Sequence, residues 1–202
     1  MNSKRKITTV IFDLGGVLYD INLRRTRDSF SLLAQREIDF SLTSQHEVFD
    51  LFESGKLGAA QFRDALREAY LIDATDEDMD AAWNALLVGL LPASTELVRS
   101  LKAKYRVALL SNINELHHER ISAECVEFFS EFEQLFFSYK LGVRKPQREI
   151  FEYALSAMKV TADQVFYVDD SPQHVATARS LGIETGHVTE QNGVHDIVQS
   201  LL

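Results

Sequence analysis

Short apolar runs alternate along most of the chain with stretches whose apolar residues recur every three or four positions. Ile7-Thr8-Thr9-Val10-Ile11-Phe12 is the first run, ending at Asp13 with Gly15-Gly16 just behind it. Its near-continuous apolarity suits a strand buried on both faces, as in a parallel sheet. Val107-Ala108-Leu109-Leu110, Leu135-Phe136-Phe137 and Val165-Phe166-Tyr167-Val168 read as further strands, and 183–188 as an edge strand. Between them lie helical stripes. Leu97, Val98, Leu101 and Tyr105 follow a cap at Ser94, and Ile121, Cys125, Phe128 and Phe129 share one side of the next helix. Ile150, Phe151, Ala154, Leu155 and Met158 make another stripe. Ser171-Pro172 opens a helix that Gly182 closes, by side-chain cap and first-turn proline. Val194, Ile197, Val198 and Leu201 complete the series. Strands separated by single helices predict an α/β fold, a parallel sheet with helices on both faces and right-handed crossovers.

The segment from Tyr19 to about Leu91 has a different texture, with helical periodicity and no convincing strand. Phe62, Ala65, Leu66, Ala69 and Tyr70 form one stripe. Met79, Ala82, Trp83, Leu86 and Leu90 form another, after Thr75 and an acidic first turn. The reading is a small helical domain over 19–91, inserted into a discontinuous core of 1–18 and 92–202.

Composition narrows the function classes. Of 202 residues, 46% are hydrophobic and 25% charged, which suits a folded globular chain. Lys and Arg number 21 against 30 Asp and Glu, a net charge of -9, so nucleic acid is not the expected partner. The single cysteine, Cys125, makes neither an internal disulfide nor a thiolate metal cage. Asp13 interrupts the apolar run after Met1–Lys6, and no stretch reaches the ~20 apolar residues of a membrane span. The expectation is a cytoplasmic protein without a membrane partner. The sequence carries no signal for an oligomeric state.

Open parallel sheets bind ligands beyond the carboxyl ends of their strands. Asp13, Ser111-Asn112, the loop carrying Lys145, and Asp169-Asp170 all lie at such ends. Each alone has an ordinary explanation as a turn residue, helix cap or helix entry. Together they form a chemical set. Three carboxylates in one crevice repel one another unless a cation binds, and oxygen donors favour a hard ion, Mg²⁺. Lys145, Ser111 and backbone N–H groups would hold a phosphate, and a neighbouring carboxylate can attack phosphorus.

These residues carry a resemblance. Phe12-Asp13-Leu14-Gly15-Gly16-Val17-Leu18, Leu110-Ser111-Asn112, Gly142-Val143-Arg144-Lys145-Pro146 and Val168-Asp169-Asp170-Ser171 resemble, in order, the four motifs of the haloacid dehalogenase superfamily. The run Ser111–His117 further resembles a bacterial branch that includes glucose-1-phosphate phosphatases. The resemblance implies a Rossmann-like core with a helical cap, and a Mg²⁺-dependent phosphatase acting on a small phosphorylated metabolite, a sugar phosphate among the candidates. It implies Asp13 as nucleophile and metal ligand. The metal would also take Asp170, the Gly15 backbone carbonyl and, through water, Asp169. Ser111, Asn112 and Lys145 would form the phosphate site. The chain departs from the common pattern at Gly15, where most phosphatases of the superfamily carry an acid–base aspartate; Tyr19, Asp20 and cap residues are the open substitutes. Two alternatives stand beside this reading, a dehalogenase and a phosphate-binding protein with little turnover. Arg24, Arg25 and Arg27 at the entry to the inserted segment face either solvent or an anionic substrate. His117-His118 are expected in solvent or cap contacts, and Cys125 in the core.

Overall fold

The computed structural model describes residues 7–38, 47–190 and 193–202, so Met1–Lys6 lies outside the described part. Its main sheet has five strands: β1 (Thr9–Phe12), β4 (Arg106–Ser111), β5 (Gln134–Phe137), β6 (Val165–Asp169) and β7 (Glu184–His187). All neighbours run parallel in the order β5-β4-β1-β6-β7. Alternation explains why these strands read as continuous apolar runs. Val10, Phe12, Val107, Leu109, Phe166 and Val168 face one buried cluster. Ile11, Ala108, Leu110, Val165 and Tyr167 face the other.

The first face is covered by α5 (Ser94–Lys102), α6 (Glu115–Ser122), α7 (Val126–Phe129) and α11 (Val194–Val198). The second is covered by α9 (Arg148–Met158) and α10 (Pro172–Ser180). Since β1 and β6 are buried throughout and β4 at all but its first residue, polar side chains gather at the strand ends. Among the described residues no helix is long and apolar enough to cross a membrane.

Residues 23–84 supply α1 (Leu23–Leu33), α2 (Glu47–Glu53), α3 (Ala59–Tyr70) and α4 (Asp76–Asn84). They pack around a separate aromatic cluster in which Phe52 stacks on Phe62 and Phe49 on Trp83. The purely helical reading of this segment is corrected at its ends. β2 (Tyr19–Ile21) and β3 (Leu87–Leu90) pair antiparallel, so Leu86 and Leu90 do not continue the stripe of α4. The chain enters and leaves the segment side by side, and pairing satisfies backbone groups at that neck. Asn22 N–H donates to Leu86 O and Leu91 N–H to Leu18 O, extending the ladder.

Three smaller expectations also change. The helix after β4 breaks at Cys125 into α6 and α7, with Cys125 fully buried. A short helix, α8 (Ser138–Leu141), occupies the expected loop after β5. Neither Ser94 nor Ser171 caps through its hydroxyl: Ala93 is the residue before α5, Ser94 Oγ donates to Leu18 O, and α10 starts on Pro172 without a side-chain cap.

His117 joins the aromatic cluster to the main sheet's helices. It stacks on Trp83 at 4.9 Å, accepts from Asn114 Nδ2 through Nδ1 and donates from Nε2 to Trp83 O. Asn114 Oδ1 accepts from His117 N–H and from the Trp83 indole, so the pair is internally satisfied with the imidazole neutral. Burial pushes His117 down to about 4 from its ordinary 6.5, against the hydrogen bond it donates to the Trp83 carbonyl, which raises it. Between those values the unfolded imidazole holds a proton that the folded one does not. Stability therefore rises with pH across that window, fully present above it and weakened by roughly 3 kcal/mol at its acid end. Urea unfolding of wild type and His117→Gln should show a stability difference that shrinks from about pH 7 to pH 4. A constant difference would mean that the folded imidazole already carries its proton.

Candidate active site

β1 lies between β4 and β6, with Phe12 level with Leu109 and Val168. That register brings Asp13, Ser111 and Asp169 to one edge of the sheet. Asp13 N–H donates to Val168 O at 2.8 Å, fixing the turn beyond β1. Asp13 Oδ1 accepts from Leu14 N–H at 2.7 Å and lies 2.9 Å from Lys145 Nζ. No described residue donates a hydrogen bond to Asp13 Oδ2. Lys145 is fully buried, and Nζ also donates to Asp169 Oδ2 at 2.7 Å. Asp169 further accepts from Ser171 N–H, from His174 Nδ1 at 3.0 Å and from the Tyr167 hydroxyl. One ammonium thus bridges two carboxylates, and Asp169 is saturated while Asp13 is not.

The loop bearing Lys145 is held by Asn112. Its Nδ2 donates to Lys145 O and its Oδ1 accepts from Lys145 N–H, both at 2.9 Å. The Asn112 side chain therefore fixes the lysine's backbone, while Ser111 lines the crevice directly. Gly16 makes room for the fourth strand-end residue: its φ is +74°, and a Cβ there would sit 2.2 Å from Asp170 Oδ2. Gly15 differs, since a Cβ there would meet first the Ile21 side chain, at 3.3 Å.

Electrostatics follow from this packing. Burial pushes the Asp13 carboxyl up to about 8, with Lys145 opposing and Asp169 and Asp170 adding to the rise. Burial also works against the charge on Asp169, but Lys145 and His174 outweigh it and hold that carboxyl well below the usual range. Asp170 is raised by burial and by Asp169. Burial disfavours the Lys145 charge, yet Asp13 and Asp169 hold its pKa above the ordinary value. Three carboxyl groups share one ammonium, so ionising Asp13 beside Asp169 and Asp170 leaves surplus negative charge at a site whose free donors are oxygens. A hard divalent cation fits that donor set. Asp13, Asp169 and His174 also bring ligand atoms within 4.8 Å of one another, but His174 Nδ1 already faces Asp169.

Asp13, Ser111, Asn112, Asp170 and His174 line a crevice of about 500 Å³, which Tyr19, Ile21, Glu53, Leu87 and Arg144 also line, while Lys145 and Asp169 are buried behind it. Glu53 and Asp50 at the end of α2 pair with Arg144, the neighbour of Lys145. Gly55, with φ +65°, lets the following turn approach Tyr139 O, which a Cβ would meet at 2.0 Å. Arg24, Arg25 and Arg27 are exposed and line no part of this crevice; Arg27 pairs with Asp28, and Arg25 borders a separate open depression with Arg120. His118 hydrogen-bonds the Tyr139 hydroxyl.

Sequence reading missed Tyr167, His174 and the Arg144–Glu53 contact. Tyr167 had a signal: it sits two residues before Asp169 on the same strand face, and a buried tyrosine hydroxyl needs a partner. The other contacts depend on how helices meet the strand ends.

The chain is 31% identical over 189 residues to D-ribitol-5-phosphate phosphatase of Bacteroides thetaiotaomicron, covering 89% of this chain and 90% of the relative. It is 27% identical to the sesquiterpene phosphatase of Aspergillus oryzae, covering 89% of each. A haloacid dehalogenase family enzyme from B. thetaiotaomicron, solved as an aspartate-to-alanine variant with magnesium and inorganic phosphate, superposes with TM-score 0.84 at 30% identity. That match covers 91% of this chain and 96% of the other. Residues 7–182 match the family model of the haloacid dehalogenase-like hydrolases, and the chain belongs to that family.

Proposed function

We propose that this protein is a Mg²⁺-dependent phosphatase of a small phosphomonoester, working through a covalent phosphoryl group on Asp13. The observation that carries the reading is the buried Lys145 ammonium set between Asp13 and Asp169, directly behind a crevice that Asp13 lines, with Asp13 Oδ2 free of hydrogen bonds from the described residues. Residues 19–91 are read as a cap domain over a core of 1–18 and 92–202. Asp13, Asp170 and the Gly15 carbonyl would hold the magnesium directly, and Asp169 through water. When bound, Mg²⁺ neutralises the phosphate dianion that these carboxylates would otherwise repel.

Asp13 Oδ2 attacks phosphorus, the Asp13–phosphorus bond forms and the bond to the alcohol oxygen breaks. Lys145 and Ser111 hold the phosphoryl oxygens as charge moves toward the leaving group. Water then attacks the same phosphorus, releasing inorganic phosphate and restoring the carboxylate. A dehalogenase with the same nucleophile would have no need for the added negative charge of Asp170. The two relatives are named for a polyol phosphate and for sesquiterpenes, so both polar and apolar alcohols belong in the first substrate panel.

With glycine at position 15, proton transfer to the leaving oxygen lacks a side chain there, a contribution worth roughly 10²–10⁴-fold in typical enzymes. Wild type should hydrolyse an aryl phosphate with Mg²⁺, lose that activity in chelator, and slow as leaving-group pKa rises. Gly15→Asp should lift the turnover of poor leaving groups selectively, since only the Ile21 side chain must give way to the new Cβ. Rates against leaving-group pKa for both proteins test this. Full activity in chelator would remove the metal from the reading, and a flat dependence in wild type would mean that another residue supplies the proton.

A further inference from the structure

The crevice divides chemically. The strand-end polar groups line one part of it, and Ile21, Leu23, Leu86, Leu87, Ile113 and Ile121 add a hydrocarbon wall. This wall starts beside the reacting centre, because Ile21 Cδ1 lies 3.3 Å from where a Cβ on Gly15 would stand, two residues from Asp13. Leu86, Ile113 and Ile121 are buried, whereas Ile21 and Leu87 are half-buried and Leu23 is 36% exposed. The exposed part is therefore apolar surface left open at the mouth of a polar site.

Tyr19 and His117, which line the crevice beside this wall, are already occupied. The Tyr19 hydroxyl donates to Glu124, and His117 uses both ring nitrogens, on Asn114 and on Trp83 O. Glu53 and Arg144 form an ion pair at 2.8 Å, and the atoms of the two that lack a hydrogen bond, Glu53 Oε2 and Arg144 Nε, are themselves buried. A leaving group rich in hydroxyls would give up water against such a wall and recover few hydrogen bonds, a net cost for each hydroxyl covered. An alcohol with a hydrocarbon or aromatic face would instead cover Ile21, Leu23 and Leu87 and gain from removing both surfaces from water.

We infer that the phosphomonoester taken by this crevice has an alcohol with an apolar face, seated against Ile21, Leu23 and Leu87, in preference to a polyol. This rests on the phosphatase reading above and specifies its substrate class.

The test is kcat/KM for ethyl, propyl, butyl and hexyl phosphate on the full chain with Mg²⁺. Leaving-group basicity is nearly constant along that series, so the slope reports burial alone. Full burial of a methylene gives about fourfold; butyl over ethyl phosphate should therefore exceed about tenfold if both added groups are largely covered. Propyl phosphate should also outrun glycerol phosphate, which differs by two hydroxyls and has the more acidic alcohol. Leu87→Asn should lower the butyl-to-ethyl ratio measured within that variant, and the wild-type series stands by itself if the variant does not fold. A flat alkyl series, a preference for glycerol phosphate over propyl phosphate, or an unchanged ratio in a folded Leu87→Asn would overturn the inference while leaving the phosphatase reading intact. No Mg²⁺-dependent hydrolysis of 4-nitrophenyl phosphate would overturn both.

Discussion

Asp13→Asn should lower kcat on an aryl phosphate by about 10⁴-fold or more, the scale of loss when a covalent nucleophile is removed. The amide matches the carboxylate in size and can still accept from Leu14 N–H through its oxygen, so the turn after β1 should persist. Lys145 retains Asp169 as its counter-ion at 2.7 Å, which keeps the buried ammonium paired. Circular dichroism and urea unfolding should therefore show a folded protein whose stability is close to that of wild type. Residual activity within tenfold of wild type would mean that Asp13 is not the attacking group.

Lys145 should be the most costly single side chain to remove from the site. It is fully buried and holds Asp13 and Asp169 together, so Lys145→Met leaves the two buried carboxyl groups facing each other without their shared cation. Breaking a buried ion pair from one side typically costs about 3–5 kcal/mol, because the remaining charge keeps its desolvation penalty. Methionine fills much of the volume, so the loss should report charge rather than a cavity. Urea unfolding without divalent cation measures it. A change below about 1 kcal/mol would mean that the two carboxylates are already hydrated or neutral in the folded protein. Turnover should also collapse, since the phosphoryl oxygens lose their fixed cation.

What the sequence made legible was the chemistry at the strand ends. Asp13, Ser111 and Asp169 each follow a buried run, and a parallel sheet brings such ends to one edge whatever its strand order. Glycine at position 16 could be read as a turn residue, but its close approach to Asp170 Oδ2 depends on two loops meeting across the sheet. The pairing of β2 with β3 was hidden for a local reason: Leu87–Leu90 is a four-residue apolar run that suits either a helix end or a strand. Its pairing partner, Tyr19–Ile21, lies nearly seventy residues away. The contacts of Arg144 with Asp50 and Glu53, and of Tyr19 with Glu124, are of the same kind. Periodicity reports which face of an element is buried, not which distant charge it will meet there. The apolar wall was illegible for that reason too, since Ile21, Leu87 and Ile121 come from three separate elements.

The proposed turnover passes through a covalent phosphoryl group at one carboxylate. An acyl phosphate is reduced by borohydride to an alcohol, whereas a free carboxylate is not. Wild-type protein turning over an aryl phosphate with Mg²⁺ should therefore be acid-quenched, treated with borohydride, digested and mapped by mass spectrometry. Conversion of residue 13 to homoserine, dependent on both substrate and Mg²⁺ and absent in Asp13→Asn, is the predicted result. Reduction at a different carboxylate, with residue 13 untouched during full turnover, would contradict it.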